Sequence, residues 1–172
     1  IDLGFTGMEV STDSMPELLR EERSALIKKG ASMGLQVFTE VGKKFFDEPF
    51  PASEMVDCIK ADLDAGATKV VIENTELCYY FEHDREQLRK IIEPVGLENV
   101  ILEIGRNGWP HVTTWLLREY GPDINVENIE HEKIVTLEGM RRGLQRIVGY
   151  EYLSTIQNKP PQSIEELKGQ AG

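Results

Sequence analysis

Leu35-Gln36-Val37-Phe38-Thr39-Glu40-Val41-Gly42-Lys43-Lys44 reads as a β-strand that runs into a basic loop. Val37, Phe38 and Val41 favour extended backbone, Gly34 closes the preceding segment, and Gly42 opens the loop that follows. Strand side chains alternate faces, so Glu40, Gly42 and Lys44 share one side while the chain stays extended, and Lys43 leaves on the other. A carboxylate and an ammonium on either side of a glycine leave room for a small anion or a metal ion. A solvated Lys-Lys loop is the plainer alternative.

The same pattern, an apolar run ending in a carboxylate or amide, recurs at Gly7-Met8-Glu9-Val10-Ser11, Val70-Val71-Ile72-Glu73-Asn74, Val100-Ile101-Leu102-Glu103-Ile104 and Ile124-Asn125-Val126-Glu127-Asn128. From Glu9 to Glu40, Glu73 and Glu103 the steps are 31, 33 and 30 residues, the length of one strand, one helix and two loops. This repeat predicts an α/β fold, a (β/α)8 TIM barrel of the usual ~250 residues. The 172-residue chain would hold about its last five βα units in residues 1–153, with residues 154–172 as a surface tail. Ile1-Asp2-Leu3-Gly4-Phe5 reads as the end of a helix and its turn, so the N-terminal units are expected to be missing. The strand edges and helix faces left uncovered would favour a homo-oligomer. Parallel strands all end at one face, where Glu9, Glu40, Glu73 and Glu103 are expected to converge.

A net charge of -11 argues against nucleic acid and anionic membranes as partners. No apolar run approaches the ~18 residues of a membrane span, and no signal peptide is visible. Cys58 and Cys78 are too far apart for a paired-cysteine motif and suit a reducing, cytoplasmic setting.

Ser14, Pro16 and Glu17 form a helix-start signal, followed by an apolar stripe of Leu18, Leu19, Ala25, Leu26 and Ile27 that ends near Gly30 or Gly34. A second helix is expected from a Ser53 cap to Gly66, a third from an Asp84 cap, a fourth from Pro110 to Gly121, and a last from about Thr136 with Leu137, Met140, Leu144 and Ile147 inward. Phe45 to Pro51 reads as a segment that packs beneath its own loop or covers the site. Asn74 to His83 reads as an aromatic loop, with His83 a base candidate whose plainer reading is structural.

Several carboxylates brought together repel unless they are protonated or bridged by a cation, and an all-oxygen ligand set favours a hard ion such as Mg2+. A lysine beside such a centre suits stabilisation of an enediolate and transfer of a proton next to a carboxylate.

Three motifs resemble the phosphosulfolactate synthase family: Thr39-Glu40-Val41-Gly42-Lys43-Lys44, Asp62-Leu63-Asp64-Ala65-Gly66-Ala67 leading into Val71-Ile72-Glu73, and Leu137-Glu138 followed by Arg141-Arg142-Gly143-Leu144. The likeness runs to about Gly149. It implies a Mg2+-dependent lyase of coenzyme M biosynthesis that joins sulfite to phosphoenolpyruvate on a (β/α)8 barrel, with Lys44 as proton donor. Glu40, Glu73 and Glu103 are then the expected metal ligands, and Lys43, Ser11, Asp13, Arg106 and Asn128 the expected contacts to small anionic substrates. The chain departs from the family pattern at Ser11-Thr12-Asp13, at Thr75 where the family has arginine, at Ile104-Gly105-Arg106, and over Leu77 to His83. Arg106 is the candidate replacement for the missing arginine. The alternatives are a non-catalytic or stress-associated homologue on the same scaffold, and another metal-dependent enolate-forming lyase or aldolase.

Overall fold

A computed structural model describes residues 1–11, 18–45 and 48–145. Five strands, β1 (Gly7–Val10), β2 (Gln36–Val41), β3 (Lys69–Ile72), β4 (Val100–Glu103) and β5 (Val126–Glu127), form one sheet in the order β1-β2-β3-β4-β5. Every neighbouring pair is parallel. Helices α1 (Arg20–Ser32), α2 (Ala52–Ala65), α3 (Asn74–His83), α4 (Glu86–Val95), α5 (His111–Tyr120) and α6 (Ile134–Arg141) alternate with them. Each expected strand is present, and all are sequential parallel neighbours, as the 30 to 33 residue repeat requires.

Register assigns the two faces. Val10, Thr39, Val70 and Val100 lie side by side and are buried, as are Val41, Ile72 and Leu102 one layer further on. This face packs under the helices, against Ile27, Met55, Ile59, Leu88, Ile91 and Leu116, each fully buried. Burying one such side chain contributes about 1.5–3 kcal/mol. The opposite face carries Glu9 beside Phe38, Glu40 beside Val71, and Glu103 beside Glu127. The sheet is curled toward it, because Glu9 on β1 helps to raise the pKa of Glu127 on β5. Four flat inter-strand steps would separate those strands by about 19 Å, too far for such an effect.

Several helix expectations need correction. In α1 the inward residues are Arg23, Ile27 and Gly30, whereas Leu19 and Ala25 are exposed. Gly30 is not a cap. It lets the helix close on the sheet, since a Cβ there would lie 2.5 Å from Met8 Sδ and 2.9 Å from Val37 Cγ2. Gly34 makes the turn, with φ +83. Ser53 falls inside α2, whose first residue is Ala52, while Gly66 terminates it in the left-handed region as expected. Asn74 to His83 is helix, not loop: its first amides are capped by Glu73 and Glu103, and Leu77 and Tyr80 are buried one turn apart. Asp84 does cap α4, accepting the Glu86 N–H at 3.2 Å. In α6 Leu137 and Met140 point inward but Leu144 beyond it is exposed. The signal at Ser14 to Glu17, Ile147 and the tail at 154–172 lie outside the described residues. Among those described, no helix is long and apolar enough to cross a membrane.

Candidate functional site

The concave face ends in carboxylates. Among the described residues, Glu40, Glu73 and Glu103 each offer an oxygen, and these oxygens all lie within 4.8 Å of one another. Glu73 and Glu103 are buried and Glu40 is half-buried. Neighbouring groups fix their orientation. Ser11 Oγ donates to Glu40 Oε2 at 3.2 Å, Asn128 Nδ2 donates to Glu103 Oε1, and the Asn74 amide donates to Glu103 Oε2 at 3.0 Å. The Thr75 amide donates to Glu73 Oε2 at 2.5 Å. Two of the three carboxylates therefore also cap the N-terminus of α3, where helix dipole and free amides favour negative charge.

That support is incomplete. Burial, then repulsion from Glu103 and Glu40, outweighs the Thr75 hydrogen bonds and pushes the Glu73 carboxyl up to about 7. Glu127, next to Glu103 in register, is also pushed up to about 7, by burial and then by Glu103, Glu9 and Glu40. Such a cluster keeps protons near neutrality or takes a cation in their place. The donor set fits a hard divalent ion: opposite oxygen ligands stand about 4–5 Å apart across Mg2+ or Ca2+, and a hydrogen-bonded carboxylate oxygen retains a lone pair.

Lys44 Nζ is 3.9 Å from Glu40 Oε1, so the strand-face expectation places it correctly. The route differs from a continuing strand: β2 stops at Val41, and Gly42 turns the chain at φ +121. A Cβ on Gly42 would come within 2.7 Å of Glu73 Cβ and 2.9 Å of Glu76 Cγ, so only glycine passes here. Lys43 leaves the cluster and sets its Nζ 5.8 Å from the Phe50 ring centre. Phe45 is exposed, whereas Phe50 is partly buried against the core.

Of the other expected contacts, Ser11 and Asn128 join the cluster, the latter from the left-handed region at φ +55. Arg106 does not join it. Its side chain is exposed and its Nε pairs with Glu130 Oε1 at 2.8 Å. Asp13 lies outside the described residues. A cavity of about 330 Å³ lies at the end of β2, lined among the described residues by Leu18, Arg20, Glu40, Val41, Gly42, Phe50 and Cys58 with the Arg23–Asp62 pair. It shares Glu40 with the carboxylate cluster, whereas Glu73 and Glu103 do not line it.

Five further residues organise this end of the sheet. Arg23 donates to Asp62 from Nε (3.1 Å to each oxygen) and Nη2 (2.6 Å), and Nη2 also donates to the Glu40 carbonyl at 2.9 Å. Asn74 Nδ2 donates to the Glu103 carbonyl at 3.2 Å. Glu76 is fully buried, and Glu127 extends the acidic row. Glu127 was readable from its place in the repeat, and Asp62 from its motif. Asn74 ends its run in the repeat as Asn128 does, whereas Arg23 and Glu76 carried no sequence signal, because their roles depend on elements packing side by side.

A parallel sheet with acidic groups gathered at its strand ends, three of which could hold a metal ion, defines an α/β protein built of βα units. The sequence profile of the (2R)-phospho-3-sulfolactate synthase (ComA) family matches residues 1–146, and the chain belongs to that family. It is similar to the phosphosulfolactate synthase of Methanocaldococcus jannaschii, with 32% identity over 152 residues, 83% of this chain and 59% of that protein. It is also similar to the phosphosulfolactate synthase of Methanothermobacter thermautotrophicus, with 30% identity over 152 residues, 83% of this chain and 57% of that protein. The chain thus spans less than two thirds of the length of these relatives.

Proposed function

We propose that this chain supplies the metal and proton-donor half of a phosphosulfolactate synthase, a carbon-sulfur lyase that adds sulfite to phosphoenolpyruvate. We take its five βα units to be part of a (β/α)8 barrel. The observation that supports this best is Lys44 beside the Glu40, Glu73 and Glu103 oxygens in a member of the family.

In this reading Glu40, Glu73 and Glu103 hold Mg2+, which when bound supplies fixed positive charge for the negative charge that develops on the substrate carboxylate. The sulfite sulfur forms a bond to the methylene carbon of phosphoenolpyruvate, and the π electrons move toward the carboxylate. Lys44 then delivers one proton to the carbon bearing the phosphate, giving phosphosulfolactate. Ser11 and Asn128 hold Glu40 and Glu103 in orientation, and Lys43 adds positive potential from the far side of the loop.

A second reading, a homologue that keeps the scaffold without this reaction, draws on Thr75 and Arg106. Thr75 stands where the family has arginine and donates to the Lys44 carbonyl at 3.1 Å, while Arg106 is taken by Glu130. Thermal denaturation with Mg2+, phosphoenolpyruvate and sulfite separates the two. Catalysis predicts stabilisation by phosphoenolpyruvate that requires Mg2+, and the second reading predicts no response to phosphoenolpyruvate. Stabilisation by a different small carboxylate would instead favour another enolate-forming enzyme.

A further inference from the structure

Glu76 is a carboxylate with no exposed surface, in the first turn of α3, and the proposed reaction gives it no task. Its oxygens are directed at the loop between β2 and α2. The Lys43 N–H donates to Oε1 at 3.2 Å, and the Phe50 N–H donates to Oε1 and Oε2, each at 3.2 Å. Lys43 and Phe50 are the two ends of the segment that carries Lys44, so one carboxylate ties both ends of that segment to one helix turn. The neighbouring contacts act in the same sense. Thr75 Oγ1 donates to the Lys44 carbonyl at 3.1 Å, Tyr80 Oη lies 3.5 Å from the Phe50 carbonyl, and Gly42 passes against Glu73 and Glu76 with no space for a side chain.

A lysine amine ends a stem of four rotatable carbons, so its place over the site depends on where the backbone is held. The Lys44 backbone is held on both sides, through the Lys43 amide before it and through its own carbonyl after it. Burying a carboxylate is costly unless its lone pairs are used, and two backbone amides are what a loop with no regular hydrogen-bonding partners can offer. Glutamine could not do the same with both atoms, because its amide nitrogen would turn a donor toward the Phe50 N–H.

We propose that Glu76 is a positioning residue: its buried carboxylate holds the Lys43 and Phe50 amides on α3 and so sets Lys44 beside Glu40. This rests on the reading of Lys44 as proton donor, and its test separates the two. In the full chain, Glu76→Ala and Glu76→Gln are compared with the wild type by tryptic cleavage after Lys43 and Lys44, by amide exchange at Lys43 and Phe50, by kcat and KM with phosphoenolpyruvate and sulfite, and by Mg2+ affinity. For Glu76→Ala the expected result is at least tenfold faster cleavage and exchange confined to residues 43–50, with kcat down about 100-fold and Mg2+ affinity little changed. Glu76→Gln, which keeps the size and one acceptor oxygen, should recover most of both losses, with faster exchange remaining at Phe50.

Accelerated cleavage spread evenly over the chain, or none within 43–50, overturns the proposal. A selectively opened loop with unchanged kcat overturns it as well. Selective opening in a chain whose wild type shows no turnover supports the clamp and refutes the reaction. Should Glu76→Ala not fold, Glu76→Gln decides alone: faster Phe50 exchange supports the clamp and wild-type exchange overturns it.

Discussion

Lys43 and Lys44 are adjacent in sequence and opposite in surroundings. Lys44 faces Glu40 across 3.9 Å, whereas the Lys43 amine lies over Phe50 and its backbone is bound to Glu76. Lys44→Ala is therefore expected to cost about 100-fold or more in kcat, the range for a positioned general acid, while Mg2+ binding survives. Lys43→Ala should cost much less, and steady-state kinetics of the two variants side by side checks the asymmetry. Equal losses would mean that the loop provides only positive potential. Strand alternation favours Lys44 from the sequence only if the chain stays extended, and the strand ends at Val41. It could not show that Gly42 turns the chain before Lys44, because that turn is set by α3 pressing on the loop.

At the scale of elements, α1 and α2 are joined to the end of β2 through Arg23 and Asp62. Both side chains are about nine-tenths buried, and Arg23 also binds the Glu40 carbonyl. Removing one partner of such a pair leaves the other charge buried, so Asp62→Ala should lose roughly 3–5 kcal/mol of stability in chemical denaturation. Wild-type stability in that variant would show the pair to be incidental.

The strands and most helices were legible because apolar runs, helix stops and glycine turns act locally. Helix α3 was not. Its start depends on Glu73 and Glu103, the second of which is far away in sequence, and its adjacent tyrosines look like loop until Tyr80 is seen buried. The α1 stripe was misassigned for a related reason: Arg23 reads as a surface charge unless Asp62 is known to face it.

Across the whole molecule the acidic face sets a pH dependence. The folded chain holds Glu73 and Glu127 at about 7, and Glu76 above the ordinary carboxylate value, while the unfolded chain releases these protons near 4.5. Between those values the folded state binds more protons, so these groups make stability fall as pH rises from about 4.5 to 7. Glu130 acts in the opposite sense, its pKa lowered by Lys133 and Arg106, but it stands at the surface where solvent screens the effect. Without metal the melting temperature should fall by a few degrees between pH 5 and 7.5. Mg2+ should raise it more at pH 8 than at pH 5.5, because bound metal replaces protons. A Mg2+ effect independent of pH would argue against the carboxylate cluster as its site.

The repeat that reveals the parallel sheet also carries the candidate ligands, since β2, β3 and β4 each bring one glutamate to the cluster, whereas Glu9 on β1 pairs with Phe38 and stays exposed outside it. Which substrate meets them is decided by contacts between units, and this was the least legible part of the sequence. Phosphorus NMR of phosphoenolpyruvate and sulfite incubated with the chain and Mg2+ tests the proposed reaction directly. The account predicts that the enol phosphate signal gives way to an alkyl phosphate signal, and that the conversion stops with a chelator and is lost in Lys44→Ala. An unchanged enol phosphate signal under conditions where Mg2+ binds, or undiminished conversion by Lys44→Ala, would contradict it.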